Sequence, residues 1–167
     1  MFPTGYNNNV QILQAPGYVT VTHEMMYDTR CDPARPFDPS TRSGSPRAQS
    51  RGNGRPHLSP RIRQYMGDSR ARWERTTLVI DITNFHPNTD YRGSRDTLHL
   101  VERLPRTAAD ALRYEVTIDD PHTFERPWTA VLDLAPQKGM YEYTCHEGNR
   151  GLGTSCARPG SKIPADQ

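Results

Sequence analysis

Apolar residues are scarce in this chain. They make up 34% of 167 residues, below the usual share for a globular domain. No apolar run approaches the 18 residues a membrane-spanning helix needs, so no transmembrane segment is expected. Met1 is not followed by a basic stretch and an apolar core, so no signal peptide is read in the chain as written. Cysteine is limited to Cys31, Cys145 and Cys156. None form a CxxC, which removes zinc-knuckle and thioredoxin-type sites. One disulfide with an odd thiol, or three free thiols, both fit that count. Lysine is nearly absent: nineteen of the 21 basic residues are arginine. That bias points to GC-rich coding more than to phosphate binding. There is no P-loop, dinucleotide fingerprint, HxH, HExxH or GxSxG, and no internal repeat. Neither a cofactor nor a metal is therefore expected.

What is present is alternation. Residues 78–85, 98–104, 112–119 and 128–134 alternate apolar and polar side chains at strand length. Residues 10–14, 19–27 and 140–146 read the same way, and Pro16-Gly17 supplies a tight turn. A hairpin joins 72–74 to 78–85. Residues 58–66 read as a short helix, with Ser59 at the N-cap and Pro60 at N1. The expected fold is all-β: a single antiparallel up-and-down barrel or curled meander, calycin-like in shape, because closure removes exposed edges. A two-sheet β-sandwich is the alternative. One β domain over 6–149 is expected. It is interrupted by 31–56, which is rich in Arg, Pro, Ser and Gly and has Phe37 as its one large apolar residue. That stretch reads as a disordered loop because it cannot bury enough surface to offset its ordering entropy. Residues 150–167 read as a disordered tail. Eleven arginines against four acids between 30 and 75 make a basic region. Without a recognition motif or dense aromatics it reads as a solvated loop, and no nucleic-acid partner is expected.

Charged residues and histidines inside the strand runs are the functional candidates. His146 and Glu147 close the last strand-like run, His57 follows the basic segment, and Glu102 interrupts a strand. A histidine beside a carboxylate can run acid–base chemistry, so these four are the catalytic candidates. The competing reading is structural: such groups bond strand ends and arginines, with Arg70, Arg72, Arg103 and Arg113 available. His23 and Glu24 are neighbours on a strand and should face opposite ways. A ligand-binding reading singles out Glu24, Glu115, Arg103, Trp128 and Tyr143 as residues that would line a cavity or its mouth. Three functions follow: a barrel binding a small organic molecule, a cofactor-independent hydrolase or lyase using a His–Glu pair, or a structural or partner-binding protein of the cell envelope. The oligomeric state is not readable.

The motifs YNNN-x-QI, PGYV, EM-x-x-D-x-R, GRPHL, MGDSR-x-RWE, TLV-x-D-x-TNF, LHLVER, DDP-x-TF-x-RPWT and YEY-x-CHEGN follow one another between Tyr6 and Asn149. In them the chain resembles a large family of bacterial proteins of unassigned activity, typically exported and longer at the N-terminus. The resemblance covers most of 6–30 and 54–149. It implies a periplasmic or secreted location and carries no activity. Two departures stand out. Relatives have a short link where this chain has 31–53, and glycine after RWE where this chain has Arg75. Residues 31–53 and 154–167 have the composition of out-of-frame GC-rich coding, and local frameshifts are the expectation that resequencing would test.

Overall fold

The computed structural model describes residues 8–24, 29–35 and 56–141. Eight strands follow in chain order: β1 (Val10–Ala15), β2 (Tyr18–His23), β3 (Thr29–Arg35), β4 (Asp68–Glu74), β5 (Thr77–Thr83), β6 (His99–Ala108), β7 (Ala111–Asp119) and β8 (Trp128–Leu134). The fold is all-β, as the alternation predicts. Strands β1–β3 pair antiparallel, as do β4–β8. The two sets join through a short parallel contact, Ala34↔Ala71 and Arg35↔Arg72.

That parallel contact breaks the up-and-down alternation a simple barrel requires. Strands β1 and β8 are the two ends of the strand order and are not paired with each other among the described residues. The expected closed barrel is therefore corrected to an open arrangement, with which a two-sheet packing is compatible. Both sets nevertheless share one core. Val19 and Val21 of β2 belong to the same buried cluster as Ile80, Ile82, Val116 and Ile118.

Alternation places the side chains. Leu78, Ile80 and Ile82 face the core, whereas Val79, Asp81 and Thr83 point to the other face. On β6, Leu100, Glu102 and Leu104 are buried while His99, Val101 and Arg103 are half-buried. The Pro16-Gly17 turn is as expected, with Gly17 at φ 80° and Ala15 paired to Tyr18. Gly67 is required by contact: at φ 72°, an added Cβ would lie 2.7 Å from Ile82 Cγ2 and 2.8 Å from the Thr83 carbonyl oxygen. The β4–β5 turn holds Arg75 at φ 56°, with Glu74 paired to Thr77.

Two further expectations are corrected. Residues 31–35, read as the start of a disordered loop, belong to β3. Its inward positions are Arg30, Asp32 and Ala34, all buried. Polar residues there find partners, which a reckoning by hydrophobicity misses. Residues 36–55 lie outside the described residues. The helix expected over 58–66 is a single turn, closed by Ile62 N–H to the Ser59 carbonyl at 2.8 Å. Leu58, Ile62 and Tyr65 are exposed, so no apolar stripe holds a helix down. Gln64 bonds instead to Asn84 and His86, laying this segment along the sheet. The strand expected over 19–27 ends at His23, with 25–28 outside the described residues. Of the expected 140–146 strand, Met140 and Tyr141 are not in a strand, and 142–146 lie outside the described residues. Among the described residues no helix is long and apolar enough to cross a membrane.

Candidate functional site

Three places concentrate chemistry: a buried cluster on the inner face, a histidine–carboxylate cluster on the outer face, and an open groove at one end of the sheet.

The inner cluster centres on Glu102, 1% exposed. Its strand register sets it opposite Ile80 and Val116 in the core. Arg30 reaches it from β3 with both terminal nitrogens, Nη1 to Oε1 at 3.2 Å and Nη2 to Oε2 at 2.6 Å. Tyr114 O–H donates to Oε1 at 2.9 Å. Burial pushes the Glu102 carboxyl up, but the Arg30 guanidinium and the Tyr114 hydroxyl outweigh it and hold it low. Burial together with Glu102 pushes the Tyr114 phenol up. Next along β3, Asp32 is fully buried and accepts from the Ser69 hydroxyl; burial raises its carboxyl despite Arg30. His23 is also inward, and burial, reinforced by Arg30, lowers its imidazole to about 4. Glu102 is thus a carboxylate committed to an arginine and a tyrosine. A cavity of ≈ 20 Å³ adjoins it, lined by Val10, Val21, His23, Arg30, Ile80, Glu102, Leu104, Tyr114 and Leu134.

The outer cluster is built where residues 56–58 cross β4 and β5. His57 lies between two carboxylates, Nδ1 at 2.9 Å from Asp68 Oδ2 and Nε2 at 2.8 Å from Asp81 Oδ1. The other oxygen of Asp81 is 3.2 Å from His99 Nε2. Asp68 also takes the Leu58 N–H at 2.9 Å and the Arg70 Nη1 at 2.6 Å. A ring with a carboxylate on each nitrogen donates twice and is an imidazolium. The bond to Asp81, chiefly, raises His57 against the opposing effect of burial. Burial would raise Asp81, but bonds from His57 and His99 hold it well below the usual carboxylate range. His57 is therefore a clasp that pins the incoming segment. Arg70 Nε to the Pro56 carbonyl and Asn84 Nδ2 to the Leu58 carbonyl reinforce it.

The groove lies at the β1–β2 turn. It measures ≈ 510 Å³ and is lined by Gln14, Ala15, Pro16, Gly17, Tyr18, Ala34 and Trp73. None of these side chains is charged. Trp73 is half-buried against the core, and Tyr18 is 44% exposed.

The expected site residues scatter. His57 and Glu102 face opposite sides of the sheet and form no pair. His146, Glu147 and Tyr143 lie outside the described residues. Glu24 is buried and accepts from Asn9 Nδ2 at 2.7 Å and the Tyr141 N–H at 3.0 Å, tying the end of β8's outgoing chain to β2. Glu115 sits across from Arg103 on the outer face, and Arg103 Nη2 bonds Glu74 at 2.9 Å. Trp128 packs edge-on to Phe124 at 5.7 Å. Of the expected ligand residues that are described, Glu24, Arg103, Glu115 and Trp128, none lines the groove. Among the arginines anticipated as structural partners, Arg70, Arg72, Arg103 and Arg113 all pair with acids, while the partner of Glu102 is Arg30.

Sequence reasoning passed over Asp68 and Asp81 as site residues. Asp81 carried a usable signal, as the one charged residue in the apolar run Leu78–Ile82. Arg30 and Asp32 carried none, because their partners come from strands far away in sequence, and Tyr114 reads in the sequence as one more core aromatic. The chain matches no protein-family model, no curated protein and no solved structure.

Proposed function

We propose that the protein binds a small, neutral, planar organic molecule in the groove between the β1–β2 turn, Ala34 and Trp73. The observation that carries this reading is the groove itself. Its ≈ 510 Å³ falls within the range of small-molecule sites, and its lining is largely apolar with one indole and one phenol. The uncharged lining offers no counter-ion, which favours a ligand without a formal charge. The core interior is a poor competitor: the Glu102 carboxylate is already taken by Arg30 and Tyr114, and the ≈ 20 Å³ cavity is too small for an organic ligand. In this reading the sheet is calycin-like in role, a curled β scaffold carrying a ligand at its mouth. The family resemblance supports a periplasmic or secreted setting.

Trp73 is one of two tryptophans, so the Trp128→Phe protein reports on it alone. Titration with neutral probes such as 1-naphthol or N-phenyl-1-naphthylamine should give a saturable change in its fluorescence. Probe emission should show the same saturation, and Trp73→Ala should abolish it while the far-ultraviolet circular dichroism stays intact. No saturable response from either probe would sink the reading.

A second reading, acid–base catalysis, draws on one observation. Asp81 holds His99 as well as His57, and the His99 side chain is 34% exposed. A carboxylate-oriented, accessible imidazole is the minimum for a general base. Loss of a discovered hydrolase or lyase activity in His99→Gln with unchanged stability would favour it.

A further inference from the structure

The inner cluster leaves two nitrogens without partners. His23 Nε2 and Arg30 Nε are buried and bond to no other group among the described residues. The two residues are 8% and 6% exposed and line the same ≈ 20 Å³ cavity, together with Glu102. Such groups are costly when left unbonded, and buried polar atoms in folded proteins are overwhelmingly paired. A cavity needs roughly 10–15 Å³ to admit one water molecule, and a buried water typically makes about three hydrogen bonds. Here the volume suffices for one water and for nothing larger, and four polar side chains, His23, Arg30, Glu102 and Tyr114, line it.

We propose that this cavity is a binding site for a single water molecule that bridges Arg30, His23 and Glu102 and thereby fixes His23 as its Nδ1–H tautomer.

The tautomer follows from counting protons. Arg30 Nε only donates, so the water accepts there. The water then has two protons to place. The rest of the lining is Val10, Val21, Ile80, Leu104, Leu134 and Tyr114, whose hydroxyl proton is already given to Glu102. Glu102 Oε2 takes the Arg30 Nη2 proton and, as a carboxylate oxygen, has lone-pair capacity for another. Of the acceptors left, the His23 Nε2 lone pair is stronger than the Tyr114 phenol oxygen and takes the second. Were Nε2 protonated, the water would accept twice and have only that phenol oxygen for its second proton. The bridge extends the buried chain from Tyr114 through Glu102 and Arg30 to His23, joining β7, β6, β3 and β2 at one point. It also explains how a histidine with an imidazole too buried to charge at neutral pH is kept in one orientation.

The test reads the tautomer and the water separately, on the full chain. Long-range ¹H–¹⁵N correlation spectra of histidine-labelled protein at pH 7, with His23 assigned through His23→Gln, should show Nε2 unprotonated. Water-selective cross-relaxation should show a long-lived water at the Val21 methyls. Arg30→Lys keeps the charge but has no Nε donor, and should lose that cross-peak. An Nε2–H tautomer, or no water signal at Val21 in the wild type, overturns the proposal. So does a water signal that persists unchanged in folded Arg30→Lys. If Arg30→Lys does not fold, the two wild-type measurements decide the matter alone.

Discussion

Glu102 and Asp81 sit almost side by side on neighbouring strands, in register with Ile80 and Val101 respectively, yet they face opposite sides of the sheet. Each is a buried carboxylate held by a cation. What differs is the cation. Glu102 is held by a guanidinium, which does not titrate in the accessible range, and it is sealed beneath the core. Asp81 is held by an imidazole on a segment that crosses the sheet from outside. The inner pair is a fixed joint between β3 and β6 across the fold. The outer pair is a joint whose strength depends on protonation. One position apart in register, the same chemistry gives permanence on one face and conditional attachment on the other.

Breaking the inner joint should have the largest effect. Arg30→Met removes the cation and leaves Glu102 buried with the Tyr114 hydroxyl alone. Stranding a buried charge costs about 3–5 kcal/mol, enough to consume a large fraction of a small domain's stability. The double variant Arg30→Met/Glu102→Leu should recover most of that loss, because an apolar pair of similar volume needs no partner. Urea denaturation of the three proteins measures both steps. A single-variant loss under about 1 kcal/mol would mean that bulk solvent reaches Glu102, and the contrast between the faces would collapse.

The outer joint should be smaller and dependent on pH. Asp81→Asn weakens charge-assisted bonds to His57 and His99, each worth about 1.5–3 kcal/mol. The sign of the pH effect follows from the directions of the shifts. His57 is raised above its ordinary 6.5, so its contribution is complete below about pH 6.5 and is lost as pH rises through the raised value. Asp81 is depressed from 3.8, so its contribution is complete above about pH 4 and is lost as pH falls. The clasp is therefore at full strength between those limits. His23 acts oppositely: lowered to about 4, it favours the fold above about pH 6.5 and costs stability as pH falls from there. Urea midpoints measured from pH 5 to 9 should show an alkaline decline in the wild type that is reduced in Asp81→Asn, and an acid decline that is reduced in His23→Gln. Hydrogen exchange should locate the alkaline loss in residues 56–66. An alkaline decline unchanged by Asp81→Asn would detach His57 from the clasp.

The contrast between the faces also marks what could be read from the sequence. Strands β5 to β8 were legible because their core side alternates cleanly, as in Leu100, Leu104, Val116 and Ile118, and single polar intrusions did not hide the period. Strand β3 was not, because Arg30 and Asp32 occupy its inward positions and Pro33 lies within it. Periodicity registers burial through hydrophobicity, and a strand buried through ion pairing is invisible to it. The site was legible only in its members. Glu102 and His57 stood out as polar residues in unusual places, but their true partners, Arg30 from 72 residues away and Asp81 on a neighbouring strand, depend on register and curl. The groove was illegible for a different reason: its lining combines a turn, one alanine of β3 and Trp73, which no local pattern connects.

The smallest expected effect isolates the backbone from both faces. Arg75 occupies the first position of the two-residue turn between β4 and β5, the strands that carry Asp68 and Asp81. Its φ of 56° is in the left-handed region, which costs a side-chain-bearing residue roughly 1 kcal/mol relative to glycine. The side chain is exposed and makes no bond that would repay this among the described residues. Arg75→Gly should therefore raise stability by about 1 kcal/mol, less a few tenths for the added freedom of the unfolded chain. Because the turn lies at the end of the hairpin, away from His57 and from Glu102, the gain should be the same at pH 6 and pH 8.5. A gain that grows at either pH would mean that the hairpin backbone and the clasp are coupled. An unchanged or lower midpoint would mean that the native turn relaxes its strain through Thr76, and that the arginine is accommodated rather than tolerated.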